Sequence, residues 1–319
     1  MGVVMEKNKG IGGTDISAIL GMNPYKTPLD VWLDKTGQAE PKPDTEEMWW
    51  GREMEPVLAK RYEKETGTTL VIPHKSYLVL DKPWYRITPD ALVNPIMIPQ
   101  SEGGVDFKTS GKPHDWGEPG TDEIPKHYHL QADWYMGGTG AQWWDVAVLL
   151  MSFKRQFMIF RVTRDDELIG YLQEEAERFW NDHVLANKPP AIDGSTSATE
   201  YVKKKYPFDS GPMLEPTDPE ILLTLTRYRE LRETIKAYNL TEQELENYLK
   251  DYVGTCMGME GGWGKITWKR SKDSQTTDWK SAFEEWAELD PTLSEIIKQK
   301  HIIIKPGARR WLPRFAKED

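Results

Sequence analysis

Asp90, Asp106 and Lys108 are the residues of this sequence best suited to do chemistry. Asp90 closes a Pro-Asp pair, and Asp106-Phe107-Lys108 follows about one hairpin later. Two carboxylates on neighbouring strands can converge on one side of a sheet. Carboxylate oxygens, a backbone carbonyl and water are the ligands that Mg²⁺ takes. Asp106 and Lys108 stand two residues apart, so a strand turns both to the same face. A lysine there can position a metal-bound water, help deprotonate it, and stabilise charge on a phosphate. That is the layout of metal-assisted phosphodiester hydrolysis. Surface strands carry such charges as well, so these residues alone leave a solvated strand face as the competing reading.

The surrounding elements must bring these groups together. Residues 47–66 have apolar side chains at helical spacing (Met54, Val57, Leu58, Tyr62), with Gly67 as the stop and Pro56 implying a kink or a late start. This helix carries Glu55. Short β-branched runs follow in TTLVIP, SYLVL, YRITPDALV and GVDFKT, and they read as strands. Residues 110–123 form a Gly-, Pro- and acid-rich loop. PKHYHLQADWYMGGTG then reads as a helix bearing Gln131 and ending at Gly137-Gly138, and two adjacent strands and a periodic helix follow. Upstream, Thr14 is expected to cap a helix that Gly21 closes, and Thr27-Pro28 opens a second one. Residues 188–216 form a connector. Residues 217–250 read as a helical hairpin, because Thr241 and Glu244 make a capping box for a second helix. A Gly-rich turn, a strand and a short amphipathic tail complete the chain.

Composition bounds the function. The chain has 319 residues and a net charge of −10, which argues against non-specific coating of nucleic acid but is compatible with a carboxylate metal site. One cysteine, Cys256, excludes an intrachain disulfide, a Cys-rich zinc site and an iron–sulfur cluster held by its own thiolates. A buried, inert thiol is expected there. No apolar run is long enough to span a membrane, and the first residues lack a secretory or myristoylation signal, so a cytoplasmic protein is expected. Most of the 14 Trp are expected in the core.

Other residues have bland readings beside the functional ones. His127 and His129 suggest zinc, but no third ligand stands at a telling spacing, so a structural or DNA-contact role is favoured. GGTGAQWW lacks the Lys-Ser/Thr of a phosphate-binding loop and reads as a turn. The Lys203-Lys204-Lys205 run and the basic segment 305–317 are phosphate-contact candidates, the latter also a subunit-contact candidate. A solvated surface competes in both cases.

The order helix-Glu, strand-Asp, strand-Asp-x-Lys, helix-Gln is that of the PD-(D/E)XK nucleases. More narrowly, the chain resembles the YqaJ-like phage recombinase nucleases, relatives of lambda exonuclease. The resemblance rests on GIGGTDISAILGMNPYKTPLDVW, WWGREMEPVLAKRYEKETG, PWYRITPDALV, GGVDFKTS and IPKHYHLQADWYM, in that order over roughly residues 10–185. It implies an α/β restriction-endonuclease-like core, a mixed sheet flanked by helices, over residues 1–190. A mainly helical extension over 191–319, serving oligomerisation or DNA guidance, would follow. It also implies metal ligation by Asp90, Asp106, the Phe107 carbonyl and Glu55, catalysis by Lys108, closure of the site by Gln131, and Thr14 near a 5′-phosphate. Lys7 or Lys9 is the candidate basic partner of Thr14. Many relatives have Glu where Asp106 stands and Gly where Ala91 stands. The implied activity is a Mg²⁺-dependent 5′→3′ exodeoxyribonuclease on double-stranded DNA ends, with Mn²⁺ able to substitute. The implied partners are a single-strand annealing protein and further copies in a ring, with a phage or prophage origin in a bacterial host. A structure- or site-specific endonuclease and a non-catalytic end-binding scaffold remain the alternatives.

Overall fold

The computed structural model describes residues 10–303 except 42, 74, 80, 152–154 and 275, together with 311 and 313. Lys7, Lys9 and most of the basic segment 305–317 lie outside the described residues. Two short helices come first, α1 (Gly13–Ile19) and α2 (Pro28–Lys35), then the long α3 (Glu46–Thr66). Strands β1 (Leu70–Val71), β2 (Tyr77–Val79), β3 (Lys82–Ile87), β4 (Ala91–Met97) and β5 (Gln100–Ser110) follow. Helix α4 (Lys126–Thr139), strands β6 (Trp143–Leu150) and β7 (Gln156–Thr163), and helices α5 (Asp166–Phe179) and α6 (Thr196–Lys205) complete the first part.

Five strands form one mixed sheet in the order β1-β4-β5-β6-β7. Only β5 and β6 run parallel, and α4 is the crossover between them. Alternation along β5 assigns its two faces. Val105 and Phe107 pack with Leu58 and Tyr62 of α3, whereas Asp106 and Lys108 turn to the α4 side. The larger core lies on that second face, where Trp134, Trp144, Val146 and Leu172 are buried. Gly104 lets the two layers close: a Cβ there would stand 2.2 Å from the Trp144 ring. The outer edge of β7 is covered by the loop before α4, since the Gly120 N–H donates to the Ile159 carbonyl and the Arg161 N–H to the Thr121 carbonyl.

Three local expectations change. Thr14 does not cap α1; Gly12 occupies that position, and its N–H donates to the Asp15 carboxylate at 2.9 Å. Helix α3 runs unbroken through Pro56 and ends on the left-handed Gly67. Helix α4 continues through Gly137 and Gly138 to Thr139, with Gly140 as the left-handed cap. Those two glycines serve packing, because a Cβ on Gly138 would meet Ile87 at 2.5 Å and one on Gly137 the Tyr85 hydroxyl at 2.4 Å.

Contacts divide the chain into two compact units, Met1–Val202 and Lys203–Asp319. The second holds α7 (Pro219–Val253), the hairpin β8 (Gly258–Gly261) and β9 (Gly264–Thr267), then α8 (Trp279–Leu289) and α9 (Pro291–Lys300). The expected helical hairpin is one continuous helix of 35 residues. No Gly or Pro interrupts it, and the Thr241 hydroxyl donates back to the Ala237 carbonyl instead of capping a new helix. Cys256 is exposed, not buried.

Candidate active site

The pairing of Ala91 with Val105 is the last register of the β4–β5 ladder at this end, so Asp90 comes opposite Asp106. Beyond it β5 continues alone on that side, and the Phe107 N–H donates to Asp90 Oδ2 at 2.9 Å. The N–H and C=O of one strand residue point to the same side. The Phe107 carbonyl therefore faces the gap beyond β4, next to Asp90. The strand ends there for a reason visible in the sequence: Pro89 can donate nothing to a ladder.

Asp106 is 1% exposed, and its Oδ1 has no hydrogen-bond partner among the described residues. Its other oxygen lies 3.5 Å from Lys108 Nζ. Burial pushes the Asp106 carboxyl well above the usual carboxylate range; the nearby Asp90 charge adds to this and Lys108 opposes it. Burial would lower the Lys108 ammonium, but Asp106 and Asp90 outweigh it and hold the group firmly charged. The Tyr128 ring lies 5.3 Å from Lys108 Nζ and flanks the cation.

Glu55 arrives from α3, on the opposite face. Partial burial raises its carboxyl, the Asp90 charge raises it further, and Lys108 and Arg52 lower it. Gln131 is buried on α4, and its Nε2 donates to the Tyr135 hydroxyl at 3.1 Å. Burial pushes the Tyr135 phenol up, and the charges of Asp106 and Asp90 act in the same direction. Gln131 and Tyr135 thus border the carboxylate pair. Exposed Thr14 stands beside them, because the neighbouring Gly13 abuts Gln131 so closely that a Cβ would lie 2.8 Å from its Cγ. In short, Asp90, Asp106, Phe107 and Lys108 make direct contact, Glu55 joins them through charge, and Gln131 joins through Tyr135.

A family description, YqaJ-like viral recombinase domain, matches residues 5–142. The uncharacterized protein YqaJ of Bacillus subtilis (strain 168) is 32% identical over 249 residues, spanning 77% of this chain and 76% of its own. The chain belongs to the YqaJ-like recombinase family. Among solved structures, LHK-Exo from Laribacter hongkongensis, an alkaline exonuclease crystallised with dAMP, aligns with a TM-score of 0.44 at 19% identity, covering 62% of this chain and 93% of its own. A phage-related exonuclease from Haemophilus somnus 129PT aligns with a TM-score of 0.41 at 15% identity, covering 56% and 96%. No described helix is long and apolar enough to cross a membrane.

The donor set fits a hard divalent cation. Its candidate ligands are all oxygens, and the orphaned Asp106 Oδ1 is a buried acceptor awaiting a partner. Among the described residues no three His, Cys, Asp or Glu side chains converge as tightly as the ligands of a bound ion do. Two carboxylates and a backbone carbonyl, with water, are the candidate set instead. His129 contributes elsewhere: its Nδ1 lies 2.8 Å from the buried Asp133, one helical turn on.

Several residues of this site were not singled out in the sequence. Tyr135 follows Gln131 by four residues on α4, so helical spacing was the available signal. Asp15 is gripped by Lys26 and Lys35, both at 2.7 Å, and Arg86 approaches to 3.8 Å. Burial alone would raise the Asp15 carboxyl, but the two lysines together hold it well below the usual carboxylate range. This cluster ties α1 to α2 and brings it against β3. Nothing in the spacing of its members announces it.

Proposed function

We propose that this chain is a Mg²⁺-dependent exodeoxyribonuclease that acts on double-stranded DNA ends and digests the 5′ strand. The product, a 3′ single-stranded overhang, would pass to a strand-annealing partner in recombination. The observation that carries this reading is Asp106: a buried carboxylate with one oxygen lacking a partner, set beside Lys108 and opposite Asp90. Asp133 Oδ1 is unmatched among the described residues as well, so what sets Asp106 apart is the lysine beside it and the second carboxylate opposite it.

Asp90, Asp106 and the Phe107 carbonyl would hold Mg²⁺ or Mn²⁺, with Glu55 placed to hold its water. When bound, the ion supplies Lewis-acid polarisation of the scissile phosphate and a more acidic water. Lys108, kept protonated by the two aspartates, orients the nucleophile and offsets phosphate charge. Gln131, fixed by Tyr135, closes the site. Thr14, exposed on the first turn of α1, is offered to the terminal phosphate. Assembly of several copies into a ring around DNA would let a basic lining coexist with the acidic net charge of −10.

The test is digestion of linear duplex DNA labelled separately at its 5′ and 3′ ends, with Mg²⁺ or EDTA. A closed circle and the Lys108→Ala variant run in parallel. Early Mg²⁺-dependent loss of the 5′ label, an intact circle and an inert variant are the expected result. A cut circle would make the chain an endonuclease, and end binding without cleavage would make it a scaffold.

A further inference from the structure

The seam on α7 is the feature of the second unit that its described residues leave largely exposed. Taken at alternating steps of three and four from Ile221 to Tyr252, ten positions fall in line, and all but Thr224 and Glu242 are apolar. That is a repeat of 3.5, the spacing of a coiled-coil seam, held for more than four heptads. Over about 32 residues it runs about 48 Å along the helix. Yet of all α7 only Val253 is buried. Ile235 is 47% exposed, and Leu231, Tyr238 and Leu245 are more so. The described tail meets the seam where the Trp311 indole N–H donates to the Tyr228 hydroxyl at 3.2 Å.

We infer that this seam pairs with the same helix of a second copy of the chain, in antiparallel orientation. The charges choose both the partner and the direction. A parallel pair in register would set Glu242 against Glu242 in the seam and Arg227 beside Arg232 along its flank, both repulsive. Reversing one helix about the midpoint between Ile235 and Tyr238 removes both clashes. Ile221 then lies opposite Tyr252, Tyr228 opposite Leu245, and Glu242 meets Leu231. Along the flanks Thr234 faces Thr241, Arg227 faces Tyr248 and Arg232 faces Asn239, so no like charges meet. Any such reversed pair is isologous, since residue i of one copy meets residue j of the other and j meets i. This pairing is independent of the nuclease reading.

Two measurements on the full chain test it. Sedimentation equilibrium compares the native chain with Leu231→Lys/Ile235→Lys, a change at solvent-facing positions that leaves the isolated fold intact. The particle mass is expected to fall by half. In a Cys256→Ser background, Thr234→Cys/Thr241→Cys is expected to oxidise to a covalent dimer, while Ile235→Cys alone stays uncoupled. A native monomer at every concentration overturns the inference, as does an unchanged mass in the lysine variant without cross-linking. Coupling through Ile235→Cys alone overturns the antiparallel arrangement.

Discussion

Asp106 bears two opposed demands: its depth disfavours charge, and the proposed metal site needs it. Asn keeps the shape of the side chain and removes a full anionic donor. The native chain at a Mg²⁺ concentration 100 times its dissociation constant gains about 2.7 kcal/mol by mass action. Asp106→Asn is expected to lose most of that gain, and its melting temperature in Mg²⁺ should match that in EDTA. An equal Mg²⁺-induced rise in both proteins would remove Asp106 from the ligand set. Asp15 shows the structural counterpart. Asp15→Asn leaves Lys35, whose side chain is 1% exposed, with only the Asp34 carboxylate at 3.2 Å, so the cost is expected to fall below the ~3–5 kcal/mol of breaking an isolated buried pair. The folded Asp15 carboxyl titrates below its unfolded counterpart. Its contribution is therefore whole above about pH 4 and is lost as pH falls through the folded value. Urea midpoints of the native and Asp15→Asn chains should differ widely at neutral pH and converge in acid. Asp90, Asp106 and Lys108 were legible because strand alternation and one hairpin fix their neighbourhood. Asp15, Lys35 and Tyr128 were not, since only the tertiary approach of α1, α2 and α4 gives them partners.

Helices and strands were legible where periodicity ran long, and misread where a short motif outweighed it. Thr241 with Glu244 has the form of a capping box, but a cap needs a break before it, and α7 offers no Gly or Pro there. Gly137-Gly138 has the form of a stop, but it is a packing device beneath Tyr85 and Ile87. Glycines therefore differ by what lies above them. Gly104→Ala drives a Cβ into the fully buried Trp144 ring, and overpacking of that kind costs about 1–3 kcal/mol. Gly170, inside α5, has nothing within 4 Å of its built Cβ among the described residues. Gly170→Ala should stabilise the chain by about 0.5–1 kcal/mol through helix propensity. Equilibrium urea unfolding of the two variants should show shifts of opposite sign. Destabilisation of both would mean that Gly170 meets a surface in the assembled protein.

At the scale of the whole molecule, the two apolar clusters and every candidate catalytic residue lie between Ile11 and Tyr201. We therefore propose that residues 1–205 form the nuclease module and the remainder a separate assembly module. Among the described residues neither cluster draws on a side chain beyond α6. A chain ending at Lys205 is expected to unfold in one cooperative transition and to keep the Mg²⁺-dependent rise in melting temperature. Any oligomer built through α7 should be lost, while one built through the nuclease module would survive. Calorimetry in Mg²⁺ and EDTA, with sedimentation of the same samples, separates these outcomes. Loss of the cooperative transition would mean that the long helix is structural support for the sheet, and the two units would then have to be treated as one folding body.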